Sequence, residues 1–271
     1  MTREAALGRL RDRRDAGEAI VVAGVGSGLT AAGAVAGGAD LLACYGTAAY
    51  RILGVPTALA FLPYDDANKL TLDLLPPVVG RAGGVPVIAG LGAHDPRRPL
   101  EQLVAAAAGA GAMGVTNEPF CAIYGPALRR ELDAAGYGFA REVELLEIAG
   151  RFGLLTLGWA FDAAEVRTLV AAGIDIVGAM AGITGGAGGE AVAAAVKRLG
   201  VMVRAARRVN PETIVLLHGG PLSDPASVQS ALRETGADGY ATGSSAERTP
   251  VIAAVRDTVA AFRRLRTGRL I

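Results

Sequence analysis

Lysine is almost missing from this 271-residue chain: of 27 basic side chains only Lys69 and Lys197 are lysine, and the other 25 are arginine. Neither falls on a predicted strand, since Lys197 sits in a helix predicted over Glu190–Arg208 and Lys69 follows a loop, so Schiff-base chemistry on a lysine is excluded. Cysteine is as scarce. Cys44 and Cys121 are too few for a disulfide framework or a thiolate zinc cage, and the chain reads as cytoplasmic. Charge of one sign is lacking as well: 27 basic against 26 acidic residues leave +1, which gives neither a nucleic-acid footprint nor an acidic tail. The one long uncharged run, the twenty-one residues Ala19–Ala39, is broken by Gly24, Gly26, Gly28, Gly33, Gly37 and Gly38. Asp12, Asp15 and Glu18 crowd the positive start that a leader would need, so a strand, a glycine loop and a short helix explain the run better than an export signal or a membrane span.

What is present is 51% apolar content punctuated by 38 glycines and 13 prolines, the composition of a globular chain with many short connections. Aliphatic runs alternate with helical stretches, and eight strands are predicted: Ala19–Gly24, Asp40–Cys44, Val85–Gly90, Ala112–Thr116, Leu154–Gly158, Ile174–Gly178, Thr213–His218 and Gly239–Thr242. Three entries repeat one device, Gly-Gly-Ala-Asp at 37–40, Ala-Gly-Ile-Asp at 172–175 and Thr-Gly-Ala-Asp at 235–238. Glycine there accepts the left-handed conformation that ends a helix. Between strands, Val192, Val196, Leu199 and Val203, and again Val251, Val255, Val259, Phe262 and Leu265, form helical stripes expected to face the sheet. Eight such units predict a single (β/α)8 TIM barrel over residues 1–271, α/β in class. A doubly wound open sheet is the alternative, but the loop Gly24-Val25-Gly26-Ser27-Gly28-Leu29 has only the first two glycines of a dinucleotide fingerprint, so neither nicotinamide nor flavin is expected.

In such a barrel the active site gathers at the carboxyl ends of the strands. The first loop, with Gly26, Ser27 and Gly28, is either an anion-holding turn at a helix start or simply a tight turn. After the second strand come Tyr45 and Thr47, then Asp65, Asp66 and Asn68, where either aspartate can instead cap the next helix. Asp95 and, beside Asn117, Glu118 end neighbouring strands and can hold Mg2+ through oxygen; the other reading is a cap and a solvated acid. Both histidines, His94 and His218, fall at strand ends, which favours at least one acting on substrate. Gly219 and Gly220 follow His218 and permit close backbone approach, while Ser244 and Ser245, with Glu247 beyond, suit phosphate binding or helix capping. Glu142 and Glu144 read as a solvated helix face, or as a buried Glu at the barrel mouth.

The segments Gly-Val-Gly-Ser-Gly-Leu-Thr (24–30), Leu-Pro-Tyr-Asp-Asp-Ala-Asn (62–68), Val-Asn-Pro-Glu-Thr-Ile-Val-Leu-Leu-His-Gly-Gly-Pro (209–221) and Gly-Ser-Ser-Ala-Glu-Arg-Thr-Pro (243–250) resemble the phosphoenolpyruvate hydrolase-like family, also described as TIM-barrel signal transduction proteins. The resemblance spans nearly the whole chain and places it at the edge of the phosphoenolpyruvate/pyruvate barrel superfamily. It implies an enzyme, hydrolase or lyase, acting on a small 2-oxo or enol acid, phosphorylated or not, through an enolate. In that superfamily Ser-Gly-Leu after the first strand holds substrate and acids after strands three and four bind Mg2+, positions matched by Ser27-Gly28-Leu29, Asp95 and Glu118. The chain departs from the pattern at Ala93 and His94, where a second acid is expected, and at Asn117-Glu118-Pro119-Phe120, where the family has Asn-Phe-Pro-Thr. On this reading His218 or His94 moves a proton and Glu247 orients or shares that work. The alternative is a ligand-sensing barrel without turnover. The expected partner is a small anionic molecule, with no nucleic acid and no membrane, and self-association into a homo-oligomer is expected.

Overall fold

The computed structural model describes residues 1–182 and 192–265. Eight parallel strands close on themselves in chain order: β1 (Ile20–Gly24), β2 (Leu41–Cys44), β3 (Val87–Leu91), β4 (Gly114–Asn117), β5 (Leu155–Ala160), β6 (Ile176–Met180), β7 (Ile214–His218) and β8 (Gly239–Thr242), with β8 pairing back onto β1. The sequence places every strand to within two residues at either end. Helix α1 (Arg3–Asp15) precedes the barrel, and α2 (Gly28–Ala36), α3 (Gly46–Ile52), α4 (Ala67–Val79), α5 (Leu100–Gly109), α6 (Pro126–Ala134), α7 (Phe139–Arg151), α8 (Ala163–Ala171), α9 (Val192–Val209), α10 (Pro225–Thr235) and α11 (Ser244–Arg263) follow in turn. The helix predicted from Glu190 begins outside the described residues. Among those residues no helix is long and apolar enough to cross a membrane.

Strand side chains alternate between two cores. Ile20, Val22, Leu41, Ala43, Ile88, Leu155, Leu157, Ile176, Ile214 and Leu216 fill the barrel. Ala23, Leu42, Ala89, Val115, Val177, Val215 and Leu217 face outward and pack with helix residues such as Leu75, Leu103, Leu146, Leu169 and Leu199.

The repeated strand-entry device has a double function. Gly38, Gly173 and Gly236 all adopt positive φ (83°, 75° and 72°), which lets the chain leave the helix and enter the strand at once. The aspartate two residues later then accepts a backbone N–H of the neighbouring strand: Asp40 from Val21 at 2.8 Å, Asp175 from Thr156 at 3.0 Å and Asp238 from Val215 at 2.7 Å. Each carboxylate is also paired with an arginine, Arg13, Arg3 and Arg207 respectively. These contacts fix register at the end of the barrel opposite the site.

One expectation fails. Val196, Leu199 and Val203 of α9 are buried, but Val192 is 40% exposed, and the stripe of α11 does not face the sheet: Val251, Val255, Val259, Phe262 and Leu265 are 50–70% exposed. Periodicity shows that a helix has an apolar side; it does not show what covers that side. Helix α11 meets the barrel at α3 and β1, and its buried residues, Ser244 and Glu247, lie in the first turn.

Candidate active site

Above the interior core, the inward positions at the carboxyl ends of the strands turn polar. Tyr45 after β2, Glu118 after β4, Trp159 on β5, Met180 on β6, His218 on β7 and Gly243 after β8 surround one cavity, closed from the side by Arg51 of α3 and by Phe61 and Phe120. Its empty space, mouth included, is about 480 Å³.

Missing side chains make room for the large ones. A Cβ at Gly90 would stand 2.3 Å from Cβ of Tyr45, one at Gly24 would stand 2.3 Å from the Tyr45 hydroxyl, and one at Gly178 would stand 2.0 Å from the Trp159 ring. Glycine at these strand ends lets two aromatic rings lie across the barrel mouth.

Charge in the cavity comes from Arg51. Its side chain is 3% exposed, and Nε donates to Oε2 of Glu247 at 2.6 Å. Glu247 Oε1 accepts the Gly26 N–H at 2.6 Å and the Thr30 hydroxyl at 3.2 Å, so one carboxylate ties α11, the first loop and α3 together. Burial works against the guanidinium charge, but Tyr45, Glu247 and Glu118 outweigh it and Arg51 stays protonated. Among the described residues its Nη2 is buried without a hydrogen-bond partner, and so is Nε1 of Trp159.

Two proton carriers face the same space. His218 Nδ1 lies 2.6 Å from the carbonyl of Ala241; since a carbonyl only accepts, Nδ1 carries the hydrogen and neutral Nε2 is left as the acceptor. Burial lowers the imidazole pKa and keeps the ring neutral. Glu118 accepts the Thr47 hydroxyl at 2.5 Å, and burial pushes its carboxyl up to about 7 against the pull of Thr47 and Arg51.

Other residues singled out in the sequence stand elsewhere. The first loop is satisfied internally: the Gly26 amide is used by Glu247, and Ser27 caps α2, exchanging hydrogen bonds with Thr30. Gly26 and Gly28 fit close against Ala48 and Pro77. Asp66 caps α4, and Asp65 accepts the Tyr50 hydroxyl at 2.6 Å beside a smaller neighbouring cavity. Asn68 braces the end of β3, exchanging hydrogen bonds with Gly92. Asn117 points outward, because β4 alternates: its amide bonds to Glu142 and to the backbone of Trp159. Gly219 and Gly220, both at positive φ, pack against Ala181 and Gly182 rather than the cavity. Ser244 lines the cavity, 3.4 Å from Thr57, while Ser245 bonds to Thr242. His94 lies outside the cavity wall, 3.3 Å from Glu142, which is fully buried; Glu144 is exposed.

The acid pair expected to hold Mg2+ does not share a cavity. Asp95 lies outside both cavities, and its carboxylate is taken by Arg98 at 2.6 Å, by Asn68 at 3.1 Å and by the Arg97 amide. A guanidinium occupies the side a cation would need, and among the described residues Glu118 faces the cavity without a second carboxylate. As placed, Asp95 and Glu118 do not together offer Mg2+ an oxygen site.

Arg51 is the residue that strand-end inspection misses, because it lies six positions past Tyr45 on α3 in an arginine-rich chain. Its only sequence signal is that α3 starts directly at the end of β2.

Compared with known proteins, residues 5–265 match the family described as phosphoenolpyruvate hydrolase-like. The chain belongs to that family. It is 35% identical over 263 residues to the ToMV resistance protein Tm-1(GCR237) of Solanum lycopersicum, covering 95% of this chain and 35% of the tomato protein. It is 29% identical over 253 residues to the putative transcriptional regulatory protein y4pA of Sinorhizobium fredii, covering 92% and 42%. The chain thus spans well under half the length of these family relatives. In fold it is similar to phosphonopyruvate hydrolase in complex with oxalate and Mg2+ (TM-score 0.65, 17% identity, 97% of this chain and 88% of the other). It is also similar to the phosphoenolpyruvate phosphomutase of Streptomyces platensis (0.61, 19%, 95% and 86%).

Proposed function

We propose that this barrel is an enzyme that makes or breaks a bond next to the carbonyl carbon of a small 2-oxo or enol acid, through an enolate. The observation that carries the reading is that two residues lining one cavity, Arg51 and Trp159, each hold a buried donor without a partner among the described residues, Nη2 and Nε1, beside a protonatable Glu118 and an acceptor nitrogen on His218. Buried donors without partners are costly in a folded chain, and an oxyanion satisfies both. Arg51 holds the charge that develops on the enolate oxygen, where poor screening makes a cation effective. Neutral Glu118 donates a hydrogen bond to the ligand, and His218 Nε2 accepts or returns the proton at carbon. Glu247 acts at one remove, holding Arg51 in place. Positive charge at this site comes from the chain itself, and no step is assigned to Mg2+.

The folds of the oxalate-bound phosphonopyruvate hydrolase and of the phosphoenolpyruvate phosphomutase support this substrate class for the barrel. A phosphorylated substrate follows from the family reading alone. The exposed stripe of α11 supports the homo-oligomer expected from sequence, with a second copy covering Val255, Val259 and Phe262, and two buried cysteines without disulfides agree with a cytoplasmic setting.

The test is turnover of a panel of small 2-oxo, enol and phosphono acids by wild type and His218→Asn. The variant is expected to keep its fold and ligand binding and to lose roughly 10²–10⁴-fold in turnover. Binding without any product from the wild type assigns the barrel to ligand sensing instead.

A further inference from the structure

Behind β4, facing away from the cavity, three side chains of different chemistry converge. His94 comes from the loop after β3, Cys121 from the loop after β4 and Glu142 from α7, and their ligand atoms all lie within 4.8 Å of one another. Glu142 is fully buried and Cys121 is 1% exposed. The carboxylate of Glu142 accepts hydrogen bonds from the Cys121 amide at 2.7 Å and the Asn117 amide at 2.5 Å, both from neutral donors. Among the described residues its one ion-pair partner is His94, whose Nε2 stands 3.3 Å from Oε1. That contact lacks hydrogen-bond geometry, and Nε2 is buried without a partner. An orphaned imidazole nitrogen, a thiol and an undercompensated buried carboxylate therefore point into one volume.

We propose that His94 Nε2, Cys121 Sγ and a Glu142 carboxylate oxygen form a binding site for a divalent cation of the zinc class, separate from the cavity, with a fourth position left for water. Ligand type selects the ion, because a thiolate with an imidazole favours zinc over Mg2+ or Ca2+. Charge balances as well: one dication meets one thiolate, one carboxylate and a neutral imidazole. The geometry is nearly in place. A tetrahedron with zinc bonds of roughly 2.0–2.3 Å has edges of roughly 3.3–3.7 Å, matching the His94–Glu142 separation, and a contraction of about an ångström brings in the thiol. A thiol binds such an ion as the thiolate, so binding replaces the Cys121 S–H proton and releases it to solvent.

The site would act on the cavity through one short loop. Asn117 and Cys121, both hydrogen-bonded to Glu142, flank Glu118 and Phe120, which line the cavity wall. An ion here would fix the position of that wall whatever reaction the cavity supports.

The experiment uses the tag-free chain, stripped with chelator and shown to remain folded, titrated with Zn2+ and separately with Co2+. One equivalent of zinc per chain is expected, with a rise in melting temperature and, for cobalt, a sulfur-to-metal charge-transfer band. Cys121→Ser and His94→Ala should each weaken zinc binding by more than roughly 100-fold, and Asn117→Ala, which only orients Glu142, by roughly 10–100-fold. Absence of stoichiometric zinc, or cobalt uptake by the wild type without the sulfur band, overturns the proposal even if a variant fails to fold. A melting temperature unmoved by zinc would leave the cluster as a histidine–carboxylate ion pair and also refutes it.

Discussion

Glu118→Gln is the most informative single change, because it removes a charge while keeping the shape and the Thr47 hydrogen bond. Glu118 is held at about 7 against an ordinary value near 4.5, mainly by burial. A carboxyl whose pKa is raised by folding stabilises the native state fully below the unfolded value and loses that contribution as pH rises through the folded one. The window is therefore pH 4.5 to about 7, and the stability lost across it is ~3 kcal/mol at 1.36 kcal/mol for each tenfold change in proton affinity. For a chain of this size that is about 5–8 °C in melting temperature. Thermal and urea unfolding of wild type and variant at pH 5 and pH 8 isolate this contribution, since every other titrating group is common to both. His218 runs the opposite way, its lowered pKa costing stability as pH falls. The expected result is that Glu118→Gln equals the wild type within ~1 kcal/mol at pH 5 and exceeds it by up to ~3 kcal/mol at pH 8. A constant difference across the range would show that Glu118 is ionised throughout, and the neutral-donor role would fall with it.

Other outcomes follow from the same geometry. Arg51→Lys keeps the charge but loses the planar fork, and should weaken carboxylate ligands by about 10–100-fold in a calorimetric titration; Arg51→Met should in addition cost about 3–5 kcal/mol in urea unfolding, because it strands buried Glu247. A Cβ at Gly243 would sit 3.7 Å from the His218 ring, 3.8 Å from Arg51 Nη1 and 3.8 Å from the Tyr45 hydroxyl, with φ at −130°. With ψ at −105° an alanine is also strained there, so Gly243→Ala is expected to lose some stability and, in the protein that folds, ligand affinity; an unchanged dissociation constant would move the ligand elsewhere. Lys69 is exposed and paired with Asp73, and Lys197 lies on α9, so borohydride should trap no substrate adduct detectable by mass spectrometry on either.

The barrel was legible in the sequence because short aliphatic runs and glycine-ended helices are local signals. The site was legible only in part. Strand alternation carries the facts that Glu118 points in and Asn117 out, but a list of strand-end residues treats the two alike. Arg51, Phe61 and Phe120 reach the cavity from segments beside the strands, and no local pattern marks them. The strand-entry aspartates read as part of a turn device, and their bonds to neighbouring strands appear only when the barrel closes. His94 and Glu142 lie 48 positions apart in sequence and meet only because α7 packs behind β4.

Trp159 is the chain's single tryptophan and lies in the cavity wall, 5.2 Å from the His218 ring between centroids, so the protein carries its own reporter. Titrating oxalate and small 2-oxo acids while following Trp159 fluorescence and its indole N–H resonance tests most directly whether this cavity binds such anions. The account predicts a saturable change with the indole proton shifted as a new hydrogen bond forms, and loss of that response in Arg51→Met. A flat signal across the whole panel, or an unaltered response in the variant, would contradict it.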